Sequence, residues 1–133
     1  MWTYNNEPFN NTPEEYQGFV YEITELNTGR KYIGKKKFWK PKLRPITKSR
    51  KRRKRLRVES DWKSYYSSSK EIQSLIEEKG KNRFKRKILR LCKSKGEMSY
   101  HEAKLQFEND VLLSDDYYNE YIGCRIHSKH IRK

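Results

Sequence analysis

Nearly all of the net charge of this 133-residue chain sits in one window. From Arg30 to Arg57 there are 16 Lys and Arg in 28 residues and no Asp or Glu. The whole chain carries 32 basic and 17 acidic residues, a formal charge of +15, so outside the window the two signs nearly cancel. Charge concentrated in this way repels itself unless a polyanion neutralises it. The fold therefore has to rest on the periodic apolar segments around the window. Leu, Ile, Val and Phe make up only 26 of the 133 residues, a share that with high net charge is typical of disordered chains. Ten tyrosines and three tryptophans offset it. The expectation is a folded domain with a Tyr-rich core and one loosely ordered basic insertion.

The length suits a single domain spanning residues 1–133. No apolar run approaches the ~18 residues of a membrane span. The start, Met1-Trp2-Thr3-Tyr4-Asn5-Asn6-Glu7, lacks the basic-then-apolar layout of a secretory signal. Two cysteines, Cys92 and Cys124, cannot make a disulfide framework or a CxxC site, so a reduced, cytoplasmic protein is expected.

Residues 1–16, polar and holding Pro8 and Pro13, read as an irregular lead-in. Gly18 to Glu25 then alternates, with Phe19, Tyr21 and Ile23 on one face and Val20, Glu22 and Thr24 on the other, which is a strand pattern. Asn27-Thr28-Gly29-Arg30 is a turn, and Lys31 to Gly34 the returning strand of an antiparallel hairpin. The basic segment 35–58, broken by Pro41 and Pro45, reads as a long loop. Ser68-Ser69-Lys70-Glu71 is a capping box opening a helix with Ile72, Leu75 and Ile76 on its apolar side and Gly80 as its stop. Phe84 to Cys92 is the third strand candidate. A longer helix is predicted from about Glu97 to Leu112, with Tyr100, Ala103, Phe107 and Val111 as its stripe. Together these predict an α+β fold: a three-stranded antiparallel sheet flanked by helices, with a long basic loop insertion.

Nucleic acid is the natural partner of the basic window, because each phosphate contact releases a counterion, and Phe38 and Trp39 could stack on bases. The candidate contacts are Lys36, Lys37, Lys40, Arg44, Arg50, Lys51, Arg52, Arg53, Lys54, Arg55 and Arg57, with Lys63 beyond the window. A second stretch, Lys79 to Lys95, carries nine Lys and Arg in 17 residues and no acid. An anionic membrane surface is the weaker competitor, because the run shows no amphipathic period. Cys124, His127 and His130 lie close in sequence, but with no fourth ligand in view a polar C-terminus is the simpler reading. His101-Glu102 is followed by Leu105 where the zinc motif HExxH needs its second histidine.

Gly18-Phe19-Val20-Tyr21, ten residues, then Tyr32-Ile33-Gly34 resembles the paired signature of the GIY-YIG endonuclease family. Trp62-Lys63-Ser64-Tyr65-Tyr66-Ser67-Ser68-Ser69 is similar to the W-K-x-Y-x-G-S-S stretch of small, stand-alone, phage-borne homing members of Seg type. Tyr100-His101-Glu102 and Tyr117-Tyr118-Asn119 match two further family positions, so the resemblance runs over about residues 17–126. It implies a divalent-metal DNA endonuclease acting in the cytoplasm of a host cell, with Mg²⁺ (or Mn²⁺) as its cofactor, no small-molecule cofactor, and a possible dimer on DNA. Tyr21 and Tyr32 would be the active-site phenols, one of them near the attacking water as its base or orienter. Glu102 would be the metal ligand and Asn119 would steady the site, while Gly34 would let a backbone or phosphate come close.

Phosphodiester hydrolysis needs an in-line nucleophile and neutralised phosphoryl oxygens, and one carboxylate suffices for Mg²⁺, which keeps several waters. A phenol, with its pKa near ~10, must be depressed by the metal or nearby cations to act as a base. Two positions depart from the family pattern. Asp61 stands where the family places a phosphate-binding arginine, so Lys35 is expected to substitute as a catalytic cation, with Lys36, Lys37, Arg57 and Lys63 as alternatives. Ser67 stands where relatives often have Gly. The rival reading is a non-catalytic basic DNA- or RNA-binding protein on a degenerate nuclease fold. From the residues alone, Tyr21 is also a core tyrosine, Glu102 the Glu of a capping box with Ser99, and Asn119 a turn residue.

Overall fold

The computed structural model describes residues 1–43, 55–123 and 128–130. The strands are β1 (Trp2–Tyr4), β2 (Glu7–Pro8), β3 (Gly18–Glu25), β4 (Lys31–Lys37), β5 (Trp39–Leu43), β6 (Arg55–Glu59) and β7 (Phe84–Cys92). The helices are α1 (Lys70–Lys79) and α2 (Lys95–Glu108). Among the described residues no helix is long and apolar enough to cross a membrane.

The expected antiparallel trio is present as β4-β3-β7, but it is the inner part of a five-stranded mixed sheet in the order β2-β1-β7-β3-β4. The lead-in therefore needs correcting: β1 runs parallel to β7, with Trp2 opposite Arg86, and folds back into β2. Asn5 and Asn6 both take positive φ, 52° and 67°, as the two central residues of a tight hairpin turn do. That Asn-Asn pair was the available signal, masked by the polarity of its surroundings. Trp2 is buried, and its Nε1–H donates to the Trp62 carbonyl at 2.7 Å.

The 35–58 loop is corrected over 35–43 and 55–58, while 44–54 lie outside the described residues. Lys35, Lys36 and Lys37 extend β4, and β5 and β6 pair as a separate two-stranded antiparallel ribbon. Pro41 lies within β5, opposite Arg57, and a ribbon with no further neighbours tolerates the missing amide donor. Phe38, expected to stack on bases, is fully buried in the core.

The alternation in β3 divides the apolar side chains as the sequence predicts. Phe19, Tyr21 and Ile23 join Trp2, Phe38, Trp62, Ile72 and Ile88 on the α1 side, while Val20 packs with Ile33, Cys92, Met98 and Val111 on the α2 side. The core is richer in Trp and Phe than in Tyr: most tyrosines line its margin. A β-bulge between Val20 and Tyr21 places Ile88 opposite Tyr21 and Arg90 opposite Val20, so Leu89 is the extra residue of β7. The bulge reverses side-chain parity, which is why Ile88 faces α1 and Cys92 faces α2.

Helix α1 starts one residue later than the motif suggested, with Ser69 as N-cap accepting from the Ile72 amide, and ends at Gly80 (φ 90°). Helix α2 starts earlier, capped by Ser94, whose Oγ accepts from the Glu97 amide at 3.1 Å, and ends at Asn109. Its predicted stripe is wrong in part. Phe107 is 63% exposed, and the helix buries Met98, Ala103 and Gln106 instead. Gln106 takes the inner position because its amide serves the backbone of β4.

Candidate active site

Strand β4 is an edge strand, so alternate amides and carbonyls along it need partners outside the sheet. The segment after α2 supplies them. Lys31 N–H donates to the Asp116 carbonyl (2.8 Å), and the Lys31 carbonyl accepts from Tyr118 N–H (2.7 Å). Asn119 then spends its whole carboxamide on Ile33, with Oδ1 accepting from the Ile33 amide (3.1 Å) and Nδ2 donating to its carbonyl (2.9 Å). Gln106 Nε2 donates to the same carbonyl at 2.9 Å. Asn119 is thus a buried clamp on the strand that carries Tyr32, Gly34 and Lys35.

Gly34 pairs with Tyr21 across the hairpin. A Cβ on Gly34 would lie 2.5 Å from the Tyr21 hydroxyl and 2.9 Å from the Tyr32 ring. The space over this glycine is therefore filled by the two phenols, which corrects the expectation that a backbone or phosphate uses it. Tyr21 is fully buried, with its ring centroid 6.3 Å from that of Tyr32 and 6.0 Å from that of Tyr65. Tyr32 is half-buried, with its hydroxyl 3.3 Å from Ser68 Oγ. Burial raises the pKa of both phenols, and Tyr65 and the Glu102 carboxylate push the same way. Burial, and not the basic surroundings, is the largest influence on both phenols, and at Tyr32 the Ser68 hydrogen bond opposes it.

Met98, Glu102 and Gln106 follow at four-residue spacing and share one face of α2. Glu102 lies in the middle of that helix, so the capping-box reading with Ser99 is excluded. Its side chain is 13% exposed, with Lys35 Nζ at 3.9 Å, and Lys35 also donates to Ser99 Oγ at 2.7 Å. Burial lifts the Glu102 carboxyl above the usual range, against the pull of the Lys35 ammonium and amide.

Tyr21, Tyr32, Lys35, Glu102 and Asn119 all line one cleft of about 530 Å³, together with Gly34, Ser68, Gln106 and Glu120. Other basic candidates lie elsewhere. Lys36 pairs with Asp61 at 2.6 Å and sits over the Tyr65 ring. Arg57 covers Trp39, 4.2 Å from its ring centroid, and donates to the Glu14 carbonyl. Lys63 pairs with Glu59. Lys37 and Lys40 line a neighbouring pocket. Arg44, Arg50, Lys51, Arg52, Arg53 and Lys54 lie outside the described residues, and Arg55 is described only as backbone of β6. Cys124 and His127 are also outside them. Among the described residues there is no group of three or more His, Cys, Asp or Glu placed to hold a metal ion by themselves.

Two participants escaped the sequence reading. Gln106 was findable, being four residues after Glu102 on a helix. Tyr65 lies inside the W-K-x-Y stretch, and in the fold its ring meets that of Tyr21 edge-on, with centroids 6.0 Å apart. Ser67 holds φ at 89°, a left-handed backbone that a glycine would adopt without strain.

No curated protein and no solved structure matches the chain. The family model described as "Putative endonuclease segE, GIY-YIG domain" matches residues 2–122, from β1 through the Asn119 clamp. With that match running over most of its length, the chain belongs to the GIY-YIG endonuclease family, in its Seg type.

Proposed function

We propose that this protein hydrolyses phosphodiester bonds in DNA with the help of a divalent metal, as a phage homing-type or DNA-degrading endonuclease working in the host cytoplasm. The observation that supports it is the convergence of Tyr21, Tyr32, Lys35, Glu102 and Asn119 on one cleft.

Glu102 would hold the metal. The side chains beside it in the cleft include the oxygens of Tyr32 and Ser68, and its nearest cation stands 3.9 Å away, beyond direct hydrogen bonding. An oxygen donor set of this kind fits Mg²⁺ or Mn²⁺. When bound, the ion would polarise the phosphate and stabilise the leaving oxygen. Lys35, fixed by Ser99, binds the scissile phosphate in place of the family arginine. Tyr32 and Ser68 orient the attacking water from the open side of the cleft, and Tyr21 supports Tyr32 from beneath. Asn119 and Gln106 hold β4 so that Tyr32 and Lys35 keep their spacing. One cleft cuts one strand, so double-strand cleavage requires a second copy or rebinding.

One observation favours the non-catalytic reading: Asp61, at the arginine position, is itself neutralised by Lys36. Supercoiled plasmid separates the two. Nicked or linear product from the wild type with Mg²⁺, and none with EDTA or with Glu102→Ala, is the expected result. Equal binding by both proteins with no cutting across several metals would leave a DNA- or RNA-binding protein.

A further inference from the structure

Beside the cleft lies a second pocket of about 560 Å³, which shares Lys35 with it. Five lysines line this pocket: Lys35, Lys36 and Lys37 from β4, Lys40 from β5 and Lys95 from the start of α2. Asp61 is the one acid among its lining residues, and Lys36 already occupies it at 2.6 Å. Lys35 is likewise engaged by Ser99 and Glu102. Lys37 and Lys95 come from separate elements to line the same pocket, and among the described residues neither is ion-paired with an acid. Burial and then the nearby charges of Lys95, Lys35 and Lys36 lower the Lys37 pKa. Like charges held this close are unfavourable in the free protein and become favourable once an anion sits between them.

We infer that Lys37 and Lys95 form a clamp for a backbone phosphate of the DNA substrate, next to the phosphate in the cleft, so that the strand passes over Lys35 from one pocket to the other. The inference rests on the DNA-cleaving reading. It assigns a role to Lys95, which neither the basic window nor the family motifs single out, and it separates Lys37 from Lys36, which Asp61 neutralises.

The test is the salt dependence of binding to a short DNA duplex in EDTA, for the wild type, for Lys37→Gln/Lys95→Gln, and for Lys85→Gln/Lys87→Gln. The last pair removes the same charge from exposed positions on β7 outside both pockets. Loss of one clamped phosphate is expected to flatten the slope of log K against log salt by about 0.9 for the clamp variant only. Thermal unfolding of all three proteins verifies that the fold is kept. Equal slopes for the two variants would overturn the clamp. A wild type that binds with the steeper slope but cuts nothing with Mg²⁺ would sink the nuclease reading and leave the clamp standing. A wild type without salt-sensitive DNA binding would overturn both.

Discussion

On the α1 side of the sheet, Trp2, Phe19, Phe38, Trp62 and Ile72 form a continuous apolar mass. On the α2 side a smaller cluster of Val20, Ile33, Cys92, Met98 and Val111 shares the helix face with Glu102 and Gln106. One face is devoted to burial, while the other gives up part of its burial to hold polar groups. The candidate cleft takes from both. Tyr21 and Tyr32 belong to the α1 face by strand parity, and Lys35 and Glu102 to the α2 face. They meet at β4, the edge strand. A central strand would keep the two faces apart, so this chemistry depends on an edge, and the edge has to be tied down by Asn119 and Gln106.

That division implies a set of unequal responses. Trp62→Ala, which empties the centre of the aromatic cluster, should destabilise by about 3–5 kcal/mol in denaturant unfolding. Glu102→Gln should cost about 10²–10³-fold in plasmid cleavage while leaving the melting temperature unchanged or higher. A stability loss as large as that of Trp62→Ala would erase the distinction between the faces. The pH dependence of that variant sharpens the point. Burial raises the Glu102 pKa, so the unfolded chain gives up this proton first, and stability is lost as pH rises from the ordinary carboxylate range through the raised value. Any gain in melting temperature from Glu102→Gln should therefore be present near neutrality and vanish in acid.

Smaller effects probe the edge itself. Asn119→Ala removes both bonds to Ile33 and should cost about 1–3 kcal/mol, together with a loss of cleavage. Equal cleavage by that variant would detach the clamp from the site. Asp61→Asn frees Lys36 from an ion pair whose carboxylate is exposed, so stability should change by no more than about 1 kcal/mol. Its effect should appear instead as tighter DNA binding.

Local chemistry made much of the fold legible. The faces of β3 follow from alternation, the limits of β7 match the Phe84–Cys92 strand candidate, and α1 follows from its serine cap and its glycine stop. The short β1 and β2 were hidden because a strand of two or three polar-flanked residues has no measurable period. The β5–β6 ribbon was hidden because prolines and lysines read as loop when the partner strand is unknown. Hydrophobicity alone does not mark the inner face of α2, because the carbonyl of Ile33 selects Gln106 there.

The same boundary runs through the site. By itself the sequence determined which chemical groups are present, in the order Tyr21, Tyr32, Glu102, Asn119, and that the basic window requires an anionic partner, because residue identity and charge are local properties. Only the tertiary structure decided that the phenols from one face and the carboxylate from the other share a cleft, and that both phenols are raised in pKa. It also decided which lysine is already neutralised and which ones share a pocket. Those outcomes depend on distances between residues far apart in the chain, and on burial, and neither exists until the sheet has closed.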